Sequence, residues 1–323
     1  MLKRNSSASK FLCAFLAALI CVLALSSCQK VEKNRPQTEV VAFTDALGRE
    51  VTVSKNVKRV AALIGSFADV WLLAGGTVCA TAEDAWDDFG LDLPGAVSIG
   101  GAHSPGLELI LSADPDLVIA SASTASNVEL KDALEGAGIT VAYFDVDNFE
   151  DYLSMLDICT DITGRKDLYE KNGIDVQKRI ETVKNEIKSA DLSEDQRKIL
   201  LLRASSGSVK AKGSEGTILG EMLYDLGFLN IADSDNSLLE NLSVESVIKA
   251  EPYRIFVVTM GDDTKTAIKN LERMMEDNPA WGTLAAVENK RLYVMDRKMF
   301  NIKPNAKWAN SYEKLGEILL NKQ

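Results

Sequence analysis

Apolar positions along the chain follow two alternating rhythms. Short continuous apolar runs, the pattern of strands buried on both faces, are separated by segments whose apolar residues recur every three or four positions, the pattern of amphipathic helices. VVAFTDALGREVTV (40–53) opens the series as a hairpin around an Ala-Leu-Gly turn. RVAAL (59–63), TVCATAE (77–83), DLVIAS (116–121) and TVAYFD (140–145) then predict strands. FADVWLLAG (67–75), LELILSA (107–113) and VELKDALEGAG (128–138) predict the helices between them. The second half repeats the alternation. KILLLRA (198–204), RIFVVTM (254–260) and RLYVMD (291–296) read as strands. TILGEMLYDLG (217–227), SVESVIKA (243–250), TKTAIKNLERMME (264–276) and NAKWANSYEKLGEILL (305–320) read as helices. Apolar strands alternating with helices imply an α/β fold with parallel sheets covered on both faces.

Phe149 to Ser189 interrupts this alternation, with no Pro and no strand signal. Val176, Ile180, Val183 and Ile187 place one apolar stripe on a helix. Residues 165–189 as a single helix would reach ~37 Å at 1.5 Å per residue, long enough to cross two lobes. Gly173 is its one weak point. The expected organisation is an N-terminal lobe over 42–148, a helical linker over 149–190 and a C-terminal lobe over 191–323.

The two halves also share a segment. LELILSADPDLVI (107–119) and VESVIKAEPYRIF (244–256) align without a gap, 137 residues apart. Each has Glu in the first turn of a helix, where the helix dipole favours it, and an acid-Pro pair that stops the helix before a strand. Two duplicated α/β lobes joined by one long helix follow.

The start of the chain is of another kind. Lys3, Arg4 and Lys10 precede a 15-residue apolar run, Phe11 to Leu25, that is short for a bilayer of ~30 Å. Leu25-Ser26-Ser27-Cys28 closes it. This is the layout of a secretory signal peptide, residues 1–27, ending in a motif that resembles the bacterial lipobox, with Cys28 as the lipidated residue. Residues 28–41 are then a flexible tether between lipid and domain. Lipid anchoring on the extracytoplasmic face, periplasmic or extracellular, is the expected localisation.

The 323 residues carry 36 basic and 47 acidic side chains, a net charge of −11. Loss of residues 1–27 removes three basic residues and no acid, leaving −14. That surface argues against nucleic acid as a partner. The single histidine, His103, argues against multi-histidine metal sites and His-dependent hydrolases. No metal or cofactor is expected. Cys79 and Cys159 lie in strand-like and helix-like runs and read as small buried hydrophobes rather than a bridge.

From FTDALGREVTV through VKRVAAL, IGGAHSPGLELILSADPDLVIAS, LGFLNIAD, LSVESVIKAEPYRIFVV, NPAWGTLAAVENKRLYVMD and KPNAKW, the chain resembles the substrate-binding lipoproteins of ABC importers that carry iron–siderophore complexes, haem and cobalamin. The resemblance spans most of the chain after the leader. It implies two Rossmann-like lobes bridged by a rigid helix, a ligand cleft between them and little closure on binding. It also implies delivery, by a monomer, to a permease with its ATPase. Docking through one Glu per lobe, here Glu108 and Glu245, against permease arginines is part of the same implication; helix-dipole complementation alone is the other account of these two residues.

Ligands of open α/β sheets bind outside the carboxyl ends of strands. That rule selects Ser66, Trp86, His103, Ser123 and Thr124 in the first half, and Arg203, Lys212, Met260, Lys298 and Phe300 in the second. Arg203, ending an apolar strand in an acidic protein, suits an anionic group of a ferric chelate or a haem propionate; a salt bridge to a protein acid is the alternative. Trp86 is open between stacking on a chelate and packing on its lobe, and His103 between ligation and solvation. A ferric siderophore is the expected cargo, with cobalamin or haem as alternatives. A chelatase-like enzyme shares this architecture, and Asp69, Asp84, Asp87 and Asp88 would be its carboxylates. No G-x-G-x-x-G, P-loop, G-x-S-x-G or CxxC supports an enzyme, and none is expected.

Overall fold

The computed structural model describes residues 39–261 and 263–321. The expected leader, the expected lipidation at Cys28 and the expected tether as far as residue 38 lie outside the described residues. Strands β1 (Val40–Thr44) and β2 (Glu50–Ser54) form the expected antiparallel hairpin. Val40 and Val41, assigned to the tether from sequence, pair with Ser54 and Val53 and belong to the hairpin.

Asp45 locks the hairpin turn. Its buried carboxylate accepts from the backbone N–H of Leu47 (3.0 Å), Arg49 (3.1 Å) and Tyr143 (3.3 Å) and is paired with the Arg49 guanidinium. Burial alone would raise its pKa; the hydrogen bonds from Arg49 and Tyr143 outweigh it and hold the carboxyl below its ordinary value. A depressed carboxylate contributes stability above its unfolded pKa and loses it as pH falls through the folded value. Asp45→Asn is therefore expected to cost ~3 kcal/mol in urea unfolding at pH 7, because it strands the buried partners of an ion pair. The gap to the wild type should close near pH 2.

The first lobe continues through β3 (Val60–Ala62), α1 (Gly65–Leu73), β4 (Val78–Thr81), α2 (Asp84–Asp87), β5 (Val97–Ser98), α3 (Leu107–Ser112), β6 (Leu117–Ser121) and β7 (Thr140–Phe144). Its sheet is parallel, in the order β5-β4-β3-β6-β7. The helix expected over 128–138 is two short ones, Ala125–Glu129 and Lys131–Gly136, and the loop expected at Asp84 is the helical turn α2.

The linker is helical throughout but is not one straight rod. Helix α4 (Phe149–Thr163) starts at a reciprocal cap between Asn148 and Asp151 and stops at Gly164, whose φ is +72°. A second helical run then extends from Lys166 to Ser189, ending in α5 (Asp175–Ser189), with a π turn over Glu170–Ile174. The π turn falls on Gly173. A Cβ there would sit 2.9 Å from the Leu153 side chain, so glycine lets the turn press against α4. Tyr152 donates to the Asn172 carbonyl at 2.9 Å, and the Asn172 amide donates to Leu73 O at 2.8 Å, tying the turn to the first lobe.

The second lobe contains β8 (Lys198–Ala204), β9 (Val209–Ala211), α6 (Ile218–Asp225), β10 (Leu229–Asn230), α7 (Val244–Ala250), β11 (Arg254–Thr259), α8 (Thr264–Asp277), β12 (Leu292–Met295) and α9 (Trp308–Leu319). Its sheet runs β9-β8-β11-β12, with β10 beside β8; only β9 is antiparallel.

Alternate residues of the central strands feed different cores. Ala61, Val118 and Ala120 pack on one face of the first sheet, and Leu200, Leu202 and Val257 on one face of the second. The opposite faces, with Val60, Leu117, Ile199, Leu201 and Phe256, join the linker stripe Val176, Ile180, Val183 and Ile187 and the closing-helix residue Trp308 in one continuous core. Because protein cores are close-packed, a core that runs through the linker resists relative movement of the lobes.

The duplicated segments adopt matching structure. Helices α3 and α7 each lead, through an acid and a proline, into a central strand, β6 or β11. The two acids, Asp114 and Glu251, both take left-handed backbone, with φ of +47° and +49°.

Candidate functional site

The carboxyl ends of the two sheets face a cleft that holds a cavity of ≈280 Å³ lined by both lobes. A larger cavity of ≈750 Å³ opens from it over the second lobe, and Arg203, Gly216 and Thr217 line both.

The first-lobe wall rests on a close backbone approach. The Gly65 N–H donates to both carboxylate oxygens of Asp84 at 2.9 Å. A Cβ on Gly65 would lie 2.4 Å from the Ala85 nitrogen, so only glycine allows the first turn of α1 to meet α2. Ser66, the next residue, is buried and lines the cavity. Burial pushes the Asp84 carboxyl above its ordinary pKa, and nearby Asp88 adds to this, while the Gly65 hydrogen bond and His103 oppose it. His103 lies between the paired segments Gly100–Gly101 and Ser104–Pro105, exposed at the cavity edge. Thr124 also lines the cavity and donates to the Ser121 hydroxyl at 3.1 Å.

The second-lobe wall sets two cations, Arg203 and Lys212, among three acids, Glu215, Glu221 and Asp233. Arg203 is partly buried near the end of β8, and its Nε is buried without a hydrogen-bond partner. Among the described residues no acid forms a salt bridge with it. Burial lowers its pKa, yet a guanidinium stays charged at neutral pH. Lys210 faces it across the β8–β9 pair, and Lys212 follows on the same strand face. Burial, together with repulsion from Arg203 and Lys210, lowers the pKa of Lys212. A further cation, Lys303, lines the smaller cavity and is largely buried, with Asp147 at 4.0 Å. Burial lowers the Lys303 pKa against the pull of Asp147, Asp145 and Asp151, and burial raises that of Asp147.

Two further sets of contacts bind the lobes beside the cleft. Arg297 forms a bidentate ion pair with Asp88, one arm at 2.9 Å. The Asn305 amide donates to Ser66 O at 2.9 Å and to Asp69 Oδ2 at 2.8 Å. Asp69, whose carboxyl is pushed up by burial, is thereby a structural group at the base of α1.

Of the residues selected from sequence, Ser66, His103, Thr124, Arg203 and Lys212 line these two cavities. The others do not. Trp86 packs against the shared core from α2. Ser123 is exposed and shares a hydrogen bond with Ser121 at 3.1 Å. Met260 is 48% exposed and outside both cavities. Lys298 lines a separate cavity of ≈500 Å³ and donates to Asp87 O at 3.5 Å. Phe300 is corrected to a core residue: it is 2% exposed and packed in the shared core, because the Arg297–Phe300 helical turn directs its ring inward. Glu108 and Glu245 are both exposed, each the second residue of its helix, and Glu245 accepts from Ser243 Oγ at 2.9 Å. Sequence reasoning missed Lys303 and Asp147; a lysine in the otherwise uncharged FNIKPNA stretch was the available signal for Lys303. Cys79 and Cys159 are both free thiols, and burial pushes Cys159 up to about 12. Among the described residues no cluster of three or more His, Cys, Asp or Glu is placed to hold a metal, and no helix is long and apolar enough to cross a membrane.

Residues 60–299 match a family model described as periplasmic binding protein. The chain is 26% identical over 304 residues to the Fe(3+)-citrate-binding protein YfmC of Bacillus subtilis, covering 90% of each chain. It is 24% identical over 291 residues to an uncharacterized ABC transporter substrate-binding lipoprotein, YvrC, of the same organism, covering 87% of this chain and 88% of the relative. Among solved structures, Staphylococcus aureus SirA complexed with staphyloferrin B superposes with a TM-score of 0.64 at 21% identity, over 87% of this chain and 98% of the other.

Proposed function

From the premise that this chain belongs to the periplasmic binding protein family, we propose that it is the lipid-anchored, extracytoplasmic solute-binding component of an ABC importer, and that its cargo is an anionic ferric chelate of the carboxylate type. The family is one of binding proteins rather than enzymes. One observation carries the choice of cargo: Arg203, a partly buried guanidinium in the cleft with which no acid among the described residues forms an ion pair. Leaving a charge partly desolvated and unpaired costs stability, and a ligand carboxylate supplies the missing partner. Lys212 and Lys303 add positive charge near it, and Ser66, Thr124 and His103 supply polar groups on the facing wall beside Asp84 and Asp88. A wall of this polarity suits a hydrophilic anion better than the apolar face of haem or a corrin. The Fe(3+)-citrate-binding relative is consistent with that choice.

The anchor is lipid on Cys28, and the folded part acts as a monomer that presents both lobes to one permease and its ATPase. Glu108 and Glu245 are the docking carboxylates, one per lobe, which set register against permease arginines.

Titrating the purified protein with ferric citrate, haem and cobalamin, read by tryptophan fluorescence, tests the cargo. Saturable one-to-one quenching by ferric citrate, with neither macrocycle binding, is the expected result. Tight haem or cobalamin binding would overturn it.

The acids of the cleft set a pH dependence. Asp147 and Asp84 have raised pKa values, so they become protonated before ordinary carboxylates as pH falls. The cleft then loses negative charge, and anion affinity should rise as the pH is lowered from 7.5 into the range where these carboxylates take up protons. Asp147→Asn removes one of these charges outright. It is expected to tighten ferric citrate binding about threefold at pH 7.5 and to flatten the pH profile. Comparing wild type and variant at each pH cancels the chelate's own titration.

A further inference from the structure

The duplicated helices α3 and α7 present more than a matched pair of carboxylates. Leu111 lies three residues after Glu108, and Ile248 three residues after Glu245, so each acid shares a helix face with an apolar side chain one turn away. Leu111 and Ile248 are equivalent positions of the 137-residue repeat, and both are 37% exposed. The residues just before them, Ile110 and Val247, are fully buried, which turns the acid–apolar face outward in both lobes. Single exposed apolar residues are ordinary on a protein surface and need no account. Two at equivalent positions, each beside an equivalent acid, are a repeated surface.

Each helix ends a few residues before the strand it leads into, α3 before β6 and α7 before β11, so the two patches take the same place in the element order of their lobes.

We propose that Leu111 and Ile248 are paired apolar anchors of a docking surface whose occupant is a two-fold membrane partner, presenting the same basic-and-apolar socket once to each lobe. This rests on the docking role proposed above for Glu108 and Glu245. Charge complementarity supplies a basic group opposite each Glu, and the desolvated apolar contact supplies the binding strength that an exposed ion pair lacks. The repetition of the patch at one fixed offset is what calls for a partner with its own repeated surface.

Photo-crosslinking in cells that express the full lipidated chain with its importer tests this. p-Benzoylphenylalanine replaces Glu108, Leu111, Glu245 or Ile248 in turn, with Leu229, exposed on β10, as the control position. The expected result is that the probes at 111 and 248 form adducts with one and the same membrane polypeptide, within the same peptide of it, about tenfold above the control. Leu111→Ser with Ile248→Ser should lower adduct formation from position 108 about tenfold while the ferric citrate titration stays unchanged. Adducts from 108 and 245 but none above control from 111 and 248 would overturn the anchors and leave the docking carboxylates standing. So would adducts from 111 and 248 on different polypeptides. No adducts from 108 or 245 would remove the docking role itself, and the anchors with it.

Discussion

Replacing Arg203 with methionine is expected to weaken ferric citrate binding by about two to three orders of magnitude, since removing one partner of a desolvated charge pair typically costs 2–5 kcal/mol. The same change should leave the melting temperature equal to or above that of the wild type. Both halves follow from one fact. The Arg203 guanidinium is partly buried, and no described acid pairs with it. In the free protein it therefore carries desolvation that nothing offsets, and a methionine of similar length fills the space without that charge. In the complex it meets the ligand's carboxylate, and its loss is felt in full. Arg203→Lys keeps the charge but not the two-pronged donor, so an intermediate loss of about tenfold is expected. Isothermal titration and thermal melts on the same preparations read both effects. Loss of binding together with a clear drop in melting temperature would mean that Arg203 is structural.

Gly65→Ala is expected to destabilise the protein by at least ~2 kcal/mol, because overpacking against backbone cannot be relieved by a rotamer change. The added Cβ would meet the Ala85 nitrogen at 2.4 Å and its Cα at 2.6 Å, both main-chain atoms. Either α1 or α2 must move. Each movement breaks the hydrogen bonds from Gly65 N to Asp84 and displaces Ser66, whose carbonyl accepts from Asn305. The cleft wall and one interlobe tie are thus disturbed together. Urea unfolding should show a lower midpoint, and ferric citrate affinity should fall in the same variant. Gly90→Ala provides the comparison: it lies in the turn after α2 and, unlike Gly65, has positive φ, and a Cβ there meets nothing within 4 Å. Its cost should be that of backbone conformation alone, with binding intact.

How far the sequence could be read depended on the range of the interaction involved. The strands β6, β8 and β11 and the helices α3, α7 and α9 were legible because buried parallel strands need unbroken apolar runs, and helices need a stripe. The linker was legible as helix, and Gly173 as its weak point; that the weakness takes the form of a π turn required knowing that Leu153 of α4 lies against it. Arg203 stood out as a cation at the end of an apolar strand, but a sequence with 47 acids offers many partners for it. Phe300 and Trp86 had the right positions after strands and the wrong directions, since a helical turn aims each side chain by a fraction of a turn that spacing alone does not resolve.

The sequence by itself determined the α/β class, the two matching helix–acid–proline–strand segments, the helical character of residues 166–189 and the loops from which a site would be built, because each of these is written in local periodicity and caps. Only the tertiary structure decided which charges are paired. The Asp88–Arg297 and Asn305–Asp69 contacts join residues more than 200 positions apart, and they remove these groups from the set free to meet a ligand. Among the described residues Arg203 and Lys212 line the cleft without an ion pair and Lys303 lines it with Asp147 at 4.0 Å, because burial and the absence or distance of an acid are properties of packing in three dimensions.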